Sequence, residues 1–61
     1  MVIGDLVKFK YHYKKAGDFN ISKGDLGLIK EEHSSLFGIY HFRTGKTIYF
    51  KKYNMHILEA L

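Results

Sequence analysis

The 61 residues of this chain suffice for one small domain, expected to span residues 1–61, whose core is marginal unless it packs efficiently. The sequence has no cysteine, which excludes disulfides and thiol chemistry, and no apolar run long enough for a membrane span or a signal peptide, so a cytoplasmic protein is expected. Ten basic residues against six acidic ones give a formal charge of +4, which favours nucleic acid or an acidic protein face as partner but also serves solubility.

Short runs of β-branched and aromatic residues, separated by glycines, predict several short strands. The first strand is predicted over residues 6–13, because apolar and basic side chains alternate there with the period of two that marks a half-buried strand. The alternating sets are Val7, Phe9, Tyr11 and Tyr13 on one face, and Lys8, Lys10 and His12 on the other.

Residues 14–25 are predicted to form a long loop, because turn-forming residues dominate the segment. Two apolar side chains in this loop, Phe19 and Ile21, are expected to tuck beneath it. A second strand follows over residues 26–32, and Gly27 inside it indicates a bulge or the close approach of another backbone. Residues 33–35 make a short connection to the next strand.

The third and fourth strands are predicted over residues 37–42 and 46–50, joined by a hairpin whose length decides which side chains are buried. A two-residue turn would pair Arg43 with Lys46. A three-residue loop with Gly45 in the left-handed conformation would instead pair Phe42 with Lys46, and it collects the larger apolar side chains on one face, so we expect this register. The face predicted to be buried carries Tyr40, Phe42, Ile48 and Phe50, and the opposite face carries Ile39, His41, Thr47 and Tyr49.

Residues 51–54 interrupt the alternation and suit a single 3₁₀ turn. Residues 55–58 then form a fifth short strand, with Ile57 or Leu58 pointing inward. Five short strands with glycine-rich turns predict an all-β domain built as a sandwich or barrel.

The order of these elements and three short segments resemble the SH3-like barrel, and in particular KOW and Tudor-like domains. Residues 3–8, Ile-Gly-Asp-Leu-Val-Lys, look like the G-D-x-V opening of such barrels, and residues 23–29 look like their G-x-x-G-x-I second strand. The aromatic pair at residues 49–50 and the close at residues 56–59 are similar to the last strands of the same group. The resemblance implies a five-stranded SH3-like barrel with a 3₁₀ turn before the last strand. Such small single barrels are common among phage-encoded and bacterial accessory proteins.

Recognition of proline-rich peptides is not expected, because the chain lacks the A-L-Y-D-Y opening, the tryptophan pair and the proline of peptide-binding SH3 domains. Catalysis has little support either. The adjacent carboxylates Glu31 and Glu32 point to opposite faces of a strand and cannot act together across one bond. The histidines lack metal-ligand spacing and are expected to be surface residues, so we predict neither an enzyme nor a cofactor or metal site. They are His12, His33, His41 and His56.

Basic residues interleaved with aromatic ones are the pattern most informative about function. The resemblance implies that the first long loop and the 3₁₀ turn lie near each other, which would bring cations and rings to one surface. There the cations could follow phosphates while exposed rings stack on bases. The alternative is that these residues have no binding role: the tyrosines belong to the core or its rim, and the lysines are solvated. The predicted binding residues are Lys14, Lys15, Phe19, Tyr49, Lys52 and Tyr53.

Two functions from different classes stay open. The charge and the KOW-like opening slightly favour a nucleic-acid-binding accessory domain whose binding is mostly electrostatic. The alternative is a protein-interaction module or a small structural subunit of a larger assembly, favoured by spare apolar surface around Ile39, Tyr49 and Tyr53. A membrane partner is not expected, and edge strands could pair between copies to give a homo-oligomer.

Overall fold

Strands dominate the part of the chain that the structure, a computed structural model, describes: residues 1–14 and 20–61. Strands β1, β4, β5, β6 and β7 form one antiparallel sheet in the order β6-β5-β4-β1-β7, and β2 pairs with β3 in a small second sheet. The strands are β1 Leu6–Phe9, β2 Tyr13–Lys14, β3 Asn20–Ile21, β4 Leu26–Glu32, β5 Leu36–His41, β6 Lys46–Lys51 and β7 Leu58–Ala60, and a 3₁₀ helix spans Lys52–Ile57.

The five-stranded sheet stays open. The predicted all-β fold, with a 3₁₀ segment before the last strand, is confirmed. The predicted closure into a barrel is not, because β6 and β7 are the two edges of the sheet and no pairing among the described strands joins them. Among the described strands β7 pairs with β1 alone, so the ladder that closure would need between the two edges is missing.

One face of the sheet carries the core. Side chains that alternate along β1, β4, β5 and β6 point to the same side, where Ile21 of β3 and the first residue of β7 join them. Phe9 contacts Phe50 with ring centroids 5.9 Å apart, which links strands that are far apart in the sheet order. The buried set is Val7, Phe9, Ile21, Ile29, Phe37, Ile39, Ile48, Phe50 and Leu58, with Met55 and Ile57 packed against it.

The first strand is shorter than predicted. It ends at Phe9, whose amide donates to the Asp25 carbonyl at 2.9 Å, and the next amide, of Lys10, turns to the Ile57 carbonyl. The chain thereby leaves the large sheet, and Tyr13 pairs with Ile21 in the small one. The predicted loop over residues 14–25 therefore contains a short antiparallel ladder, and the prediction that Ile21 is buried is confirmed.

The register predicted for the β5–β6 hairpin is wrong by one residue. His41 pairs with Lys46 and Ile39 with Ile48, so four residues, 42–45, form the loop. Gly45 has φ +70°, and its left-handed conformation is confirmed. The one-residue change turns Ile39 and His41 into the core and leaves Tyr40 and Phe42 on the opposite side, the reverse of the prediction.

The 3₁₀ helix is longer than predicted, so the last strand begins at Leu58 instead of residue 55. No helix in the described residues has the length and apolar character that crossing a membrane requires. The close backbone approach predicted at Gly27 is confirmed, since a Cβ there would lie 2.9 Å from the Tyr40 carbonyl oxygen. The irregularity in the β4–β5 ladder falls elsewhere, between Ile29 and Glu31.

Candidate functional site

A buried histidine organises the end of the molecule where β4 begins. His41 is 0% exposed, so the prediction that all four histidines lie at the surface is wrong for this one. Its Nε2 lies 2.7 Å from Asp25 Oδ2, and its Nδ1 lies 2.7 Å from Thr44 Oγ1. Because an ionised carboxylate can only accept, Nε2 donates to Asp25, and Nδ1 shares a hydrogen bond with the Thr44 hydroxyl. The core tolerates the imidazole because both nitrogens have partners.

Two further donors meet the same carboxylate oxygen. The amide of Ser22 donates to Asp25 Oδ2 at 2.9 Å, and Arg43 donates from Nε at 3.0 Å. Arg43 also donates from Nη2 to the Asn20 carbonyl at 2.6 Å. These contacts, here called the Asp25 network, connect the turn before β4 to the β5–β6 loop. The network consists of Ser22, Asp25, His41, Arg43 and Thr44.

The pKa of Asp25 is lowered from 3.8 to about 2. Burial by itself would raise it, but the hydrogen bonds from Arg43, the Ser22 amide and His41 all favour the ionised form and outweigh burial. Asp25 therefore stays charged across the physiological range and acts as the fixed anion of the network.

An aspartate, a histidine and a hydroxyl in one chain of hydrogen bonds resemble the groups of a hydrolase triad. Here the imidazole is fully buried, and neither of the two surface clefts described below is lined by His41 or Thr44. The arrangement instead holds two loops and β4 together, as hydrogen-bonded polar groups in a small core do.

Acidic and basic side chains match one another at the opposite end of β4, here called the paired corner. Glu31 accepts hydrogen bonds from Tyr49 at 3.0 Å and contacts His33 at 3.0 Å, and these hydrogen bonds lower the pKa of Glu31 and raise that of Tyr49. Lys52 binds Glu32 at 2.8 Å, which lowers the pKa of Glu32, and its ammonium lies 5.0 Å from the Phe37 ring centroid. The paired corner comprises Glu31, Glu32, His33, Tyr49 and Lys52.

A first surface cleft, of about 310 Å³, opens where β1 leaves the sheet. Three of its lining residues are lysines, one is the exposed Tyr11, and Glu59 is the one acidic residue among them. No ion pair with a described residue holds any of these lysines. The lining is Lys8, Phe9, Lys10, Tyr11, Lys23, Gly24 and Glu59.

A second cleft, of about 470 Å³, continues along the same two chain segments into the β2–β3 hairpin. It is lined by residues 12–14 and 20–22, none of which is acidic. Tyr13 packs its ring against Phe50 at 5.4 Å and keeps 37% of its surface exposed, and Lys14 is exposed. The two clefts together form the basic surface, whose cations and rings are Lys8, Lys10, Tyr11, His12, Tyr13, Lys14 and Lys23.

The structure divides the predicted binding residues among different places. Lys14 lines the second cleft, whereas Lys52 and Tyr49 belong to the paired corner. Tyr49 and Phe50 alternate across β6, so Tyr49 points away from the side on which Tyr13 packs. Tyr53 lies on the 3₁₀ helix and is 78% exposed. The remaining two predicted residues, Lys15 and Phe19, lie outside the described residues.

Sequence reasoning missed Lys10, Tyr11 and Lys23 as members of one surface. The signal was present in residues 8–14, where lysines and tyrosines interleave, but it was interpreted as a continuous strand with its tyrosines buried. Because the strand ends at Phe9, Tyr11 is 55% exposed and turns outward with the lysines. The turn before β4 then adds Lys23 from the other side of the cleft.

No protein-family model, curated protein or solved structure matches the chain. The described residues contain no group of three or more histidine, aspartate and glutamate side chains arranged to hold a metal ion. The geometry of the basic surface and its surroundings is therefore the feature that bears on function.

Proposed function

We propose that this chain is a non-catalytic binding module that holds single-stranded nucleic acid on its basic surface. The observation that carries the proposal is the division of charge. Along the two clefts lie cations that form no ion pair with a described carboxylate, while the cation of the paired corner is neutralised within that corner. Exposed tyrosine rings lie among those cations. Cations beside accessible rings are what a single strand requires, because its phosphates and its unstacked bases are both available.

Each contact has a physical role in this proposal. Lys10, Lys14 and Lys23 neutralise phosphates and release counterions, which makes affinity fall as salt rises. Tyr11, at 55% exposure, offers a ring face on which a base can stack, a contact that contributes about 1–3 kcal/mol. Tyr13 is held in place by Phe50, so its ring is ordered before the ligand arrives.

The fold supports the same proposal. We infer that the sheet is an open member of the SH3-like class, close to the KOW and Tudor-like domains in its plan. What supports this is the strand order, in which the four meander strands β1, β4, β5 and β6 are followed by β7 beside β1, together with the hairpin β2–β3 after the first strand and the 3₁₀ helix before the last. This class of fold hosts many functions, so the fold by itself does not indicate which ligand the chain binds.

Fluorescence anisotropy with labelled single-stranded DNA, single-stranded RNA and duplex DNA tests the proposal, each at about 50 mM and about 200 mM salt. The test variant combines Lys10→Glu, Lys14→Glu and Lys23→Glu. The matched control combines Lys30→Glu, Lys46→Glu and Lys51→Glu, which changes the formal charge equally but lies off the basic surface. Circular dichroism verifies that both variants fold.

The expected result is salt-sensitive binding with a preference for single strands. The test variant should lose at least about tenfold more affinity than the control, because location and not total charge decides the contact. Tyr11→Ala should weaken single-strand binding more than the control Tyr53→Ala does, although the Tyr53 ring is the more exposed of the two. Equal losses in both triple variants, or no binding of the folded protein at low salt, would refute the proposal.

A further inference from the structure

The side of the sheet that faces away from the core is also apolar. Cross-strand pairing places Leu6 opposite Leu28, and Leu28 opposite Tyr40, which makes one continuous row over β1, β4 and β5. Leu61 extends the row, since its amide donates to the Leu6 carbonyl at 3.0 Å. A second row begins with Leu26, whose carbonyl accepts from the Phe42 amide. This outer face comprises Leu6, Leu26, Leu28, Tyr40, Phe42 and Leu61.

Most of the apolar side chains of this outer face are widely exposed to solvent. Leu6, Leu26 and Phe42 retain 48%, 43% and 46% of their surface, and Leu61 retains 67%. Antiparallel sheets that face water on one side normally carry polar residues there. The Tyr40 and Phe42 rings are already fixed in an edge-to-face contact with centroids 5.4 Å apart. A contiguous, ordered apolar patch of this kind marks an interaction site.

We propose that the occupant of the outer face is a second copy of this chain, packed sheet on sheet about a two-fold axis. Charge at the rim favours a copy of the same molecule. Lys8 and Glu59 are cross-strand neighbours beside Leu26, so one cation and one anion lie side by side at the edge of the patch. A two-fold axis beside this pair would set Lys8 of one copy against Glu59 of the other, and the symmetry would form the same contact a second time.

The size of the molecule sets the scale of the dimer interface. It extends 25 × 24 Å in its two longer directions, so an interface that covered one entire side would bury roughly 600 Å² per copy, the lower end for specific interfaces, and a weak dimer is expected. The association would also stabilise a short chain whose core is marginal, because it removes further apolar surface from water. Lys8 and Glu59 line the first cleft as well as the rim of the outer face, so the dimer would border that cleft, whereas the second cleft with Lys14 is lined by none of the outer-face residues.

Sedimentation equilibrium from about 10 μM to about 1 mM measures the association directly. Leu26→Lys and Phe42→Lys each place a charge among the apolar side chains of the face and should weaken the dimer about tenfold or more. The control Tyr53→Lys makes the same charge change at a more exposed ring outside the face and should leave the dimer within about twofold of wild type. Circular dichroism verifies that each variant folds.

A mixing experiment tests the reciprocal rim contact. Lys8→Glu gives a copy with two acidic residues at the rim, and Glu59→Lys gives one with two basic residues. Each variant alone should be more monomeric than wild type because like charges would meet across the axis. An equimolar mixture should recover the dimer, since every contact across the axis then joins opposite charges.

A wild-type protein that stays monomeric up to about 1 mM would overturn the proposal and leave the outer face to a partner of another kind. A dimer unaffected by Leu26→Lys and Phe42→Lys would overturn it as well, in favour of pairing through the edge strands β6 or β7. Neither outcome bears on nucleic-acid binding, which is measured with variants outside the outer face.

Discussion

Two neighbouring regions of this protein use charge in opposite ways. The turn before β4 contributes Asp25 to a network in which every charged group has a partner. Lys23, in the same turn, opens onto the basic surface, where the lysines form no ion pair with any residue that the structure describes. Lys23 lies between Ser22 and Asp25, which are both members of the network. The difference separates stability from binding: paired groups restrain the loops, and unpaired cations are available to a ligand.

The comparison predicts that changes in the Asp25 network alter stability and leave binding alone, and that changes in the basic surface do the reverse. The Asp25 carboxylate accepts hydrogen bonds from Ser22, His41 and Arg43, so removing one of these donors weakens the stabilisation of its charge. The lysines of the clefts are exposed or half-buried and hold no described carboxylate, so removing one costs the fold little.

The largest expected effect is that of His41→Ala. It leaves a cavity in the core and deprives both Asp25 and Thr44 of a hydrogen bond, which should lower the free energy of unfolding by about 2–4 kcal/mol. Urea denaturation measures the change, with the exposed His56→Ala as control, expected within about 0.5 kcal/mol of wild type. Where His41→Ala remains folded, its affinity for single-stranded DNA should be unchanged; a proportional loss of affinity would erase the distinction between the regions.

The second effect is a loss of stability in acid that comes from Asp25. Its pKa is about 2 in the folded protein and 3.8 ordinarily, so the unfolded state takes up a proton first. The stabilisation is fully present above about pH 4 and is lost as the pH falls from there towards 2. The amount is about 1–2 kcal/mol after allowance for solvent screening. Urea midpoints measured from pH 6 to pH 2 should fall less steeply for Asp25→Asn than for wild type.

A smaller effect is expected for single lysines of the basic surface. Lys10→Ala, Lys14→Ala and Lys23→Ala should each reduce the slope of log affinity against log salt by about one and weaken binding at low salt. Their urea midpoints should stay near that of wild type. Lys51→Ala, on β6, is the control and should leave the slope unchanged; a slope that responds equally to all four lysines would mean that total charge alone drives binding.

The smallest effect lies in the paired corner. The pKa of Tyr49 is raised because its hydroxyl donates to the Glu31 carboxylate, so Glu31→Gln should lower that pKa towards 10.0. Titration of the tyrosine rings followed by NMR measures the shift, and Tyr53 in the same spectra provides an internal reference. A Tyr49 titration that is identical in wild type and Glu31→Gln would show that this contact does not form in solution.

The same corner offers one test of why its lysine is absent from the proposed site. Lys52 is neutralised by Glu32 at 2.8 Å. Glu32→Gln frees this cation, but Lys52 lies off the basic surface, so affinity for single-stranded DNA at low salt should stay within about twofold of wild type. A clear rise in affinity would mean that total charge, and not the location of the cations, drives binding.

Much of the secondary structure was predictable from the sequence. Residues 26–32 are a strand as predicted, the short connection at residues 33–35 is confirmed, and Gly45 adopts its left-handed conformation. These features depend on neighbouring residues: alternation of side chains and the conformational freedom of a glycine at φ +70°. The sequence indicated less about which residues share a surface: of the four predicted binding residues that the structure describes, Lys14 alone lines a cleft of the basic surface.

By itself, the sequence determined that the chain is all-β, that it is basic, and that its lysines are interleaved with aromatic rings. Only the tertiary structure decided which faces those residues occupy. The register of the β5–β6 hairpin depends on which polar side chain finds hydrogen-bond partners in the core. His41 is buried because Asp25, sixteen positions away, and Thr44 supply such partners for its ring nitrogens. Likewise, Tyr11 is exposed because Lys10 turns to the Ile57 carbonyl, a contact that no local pattern encodes. Local periodicity records alternation, but partners distant in sequence decide which side of the alternation is buried.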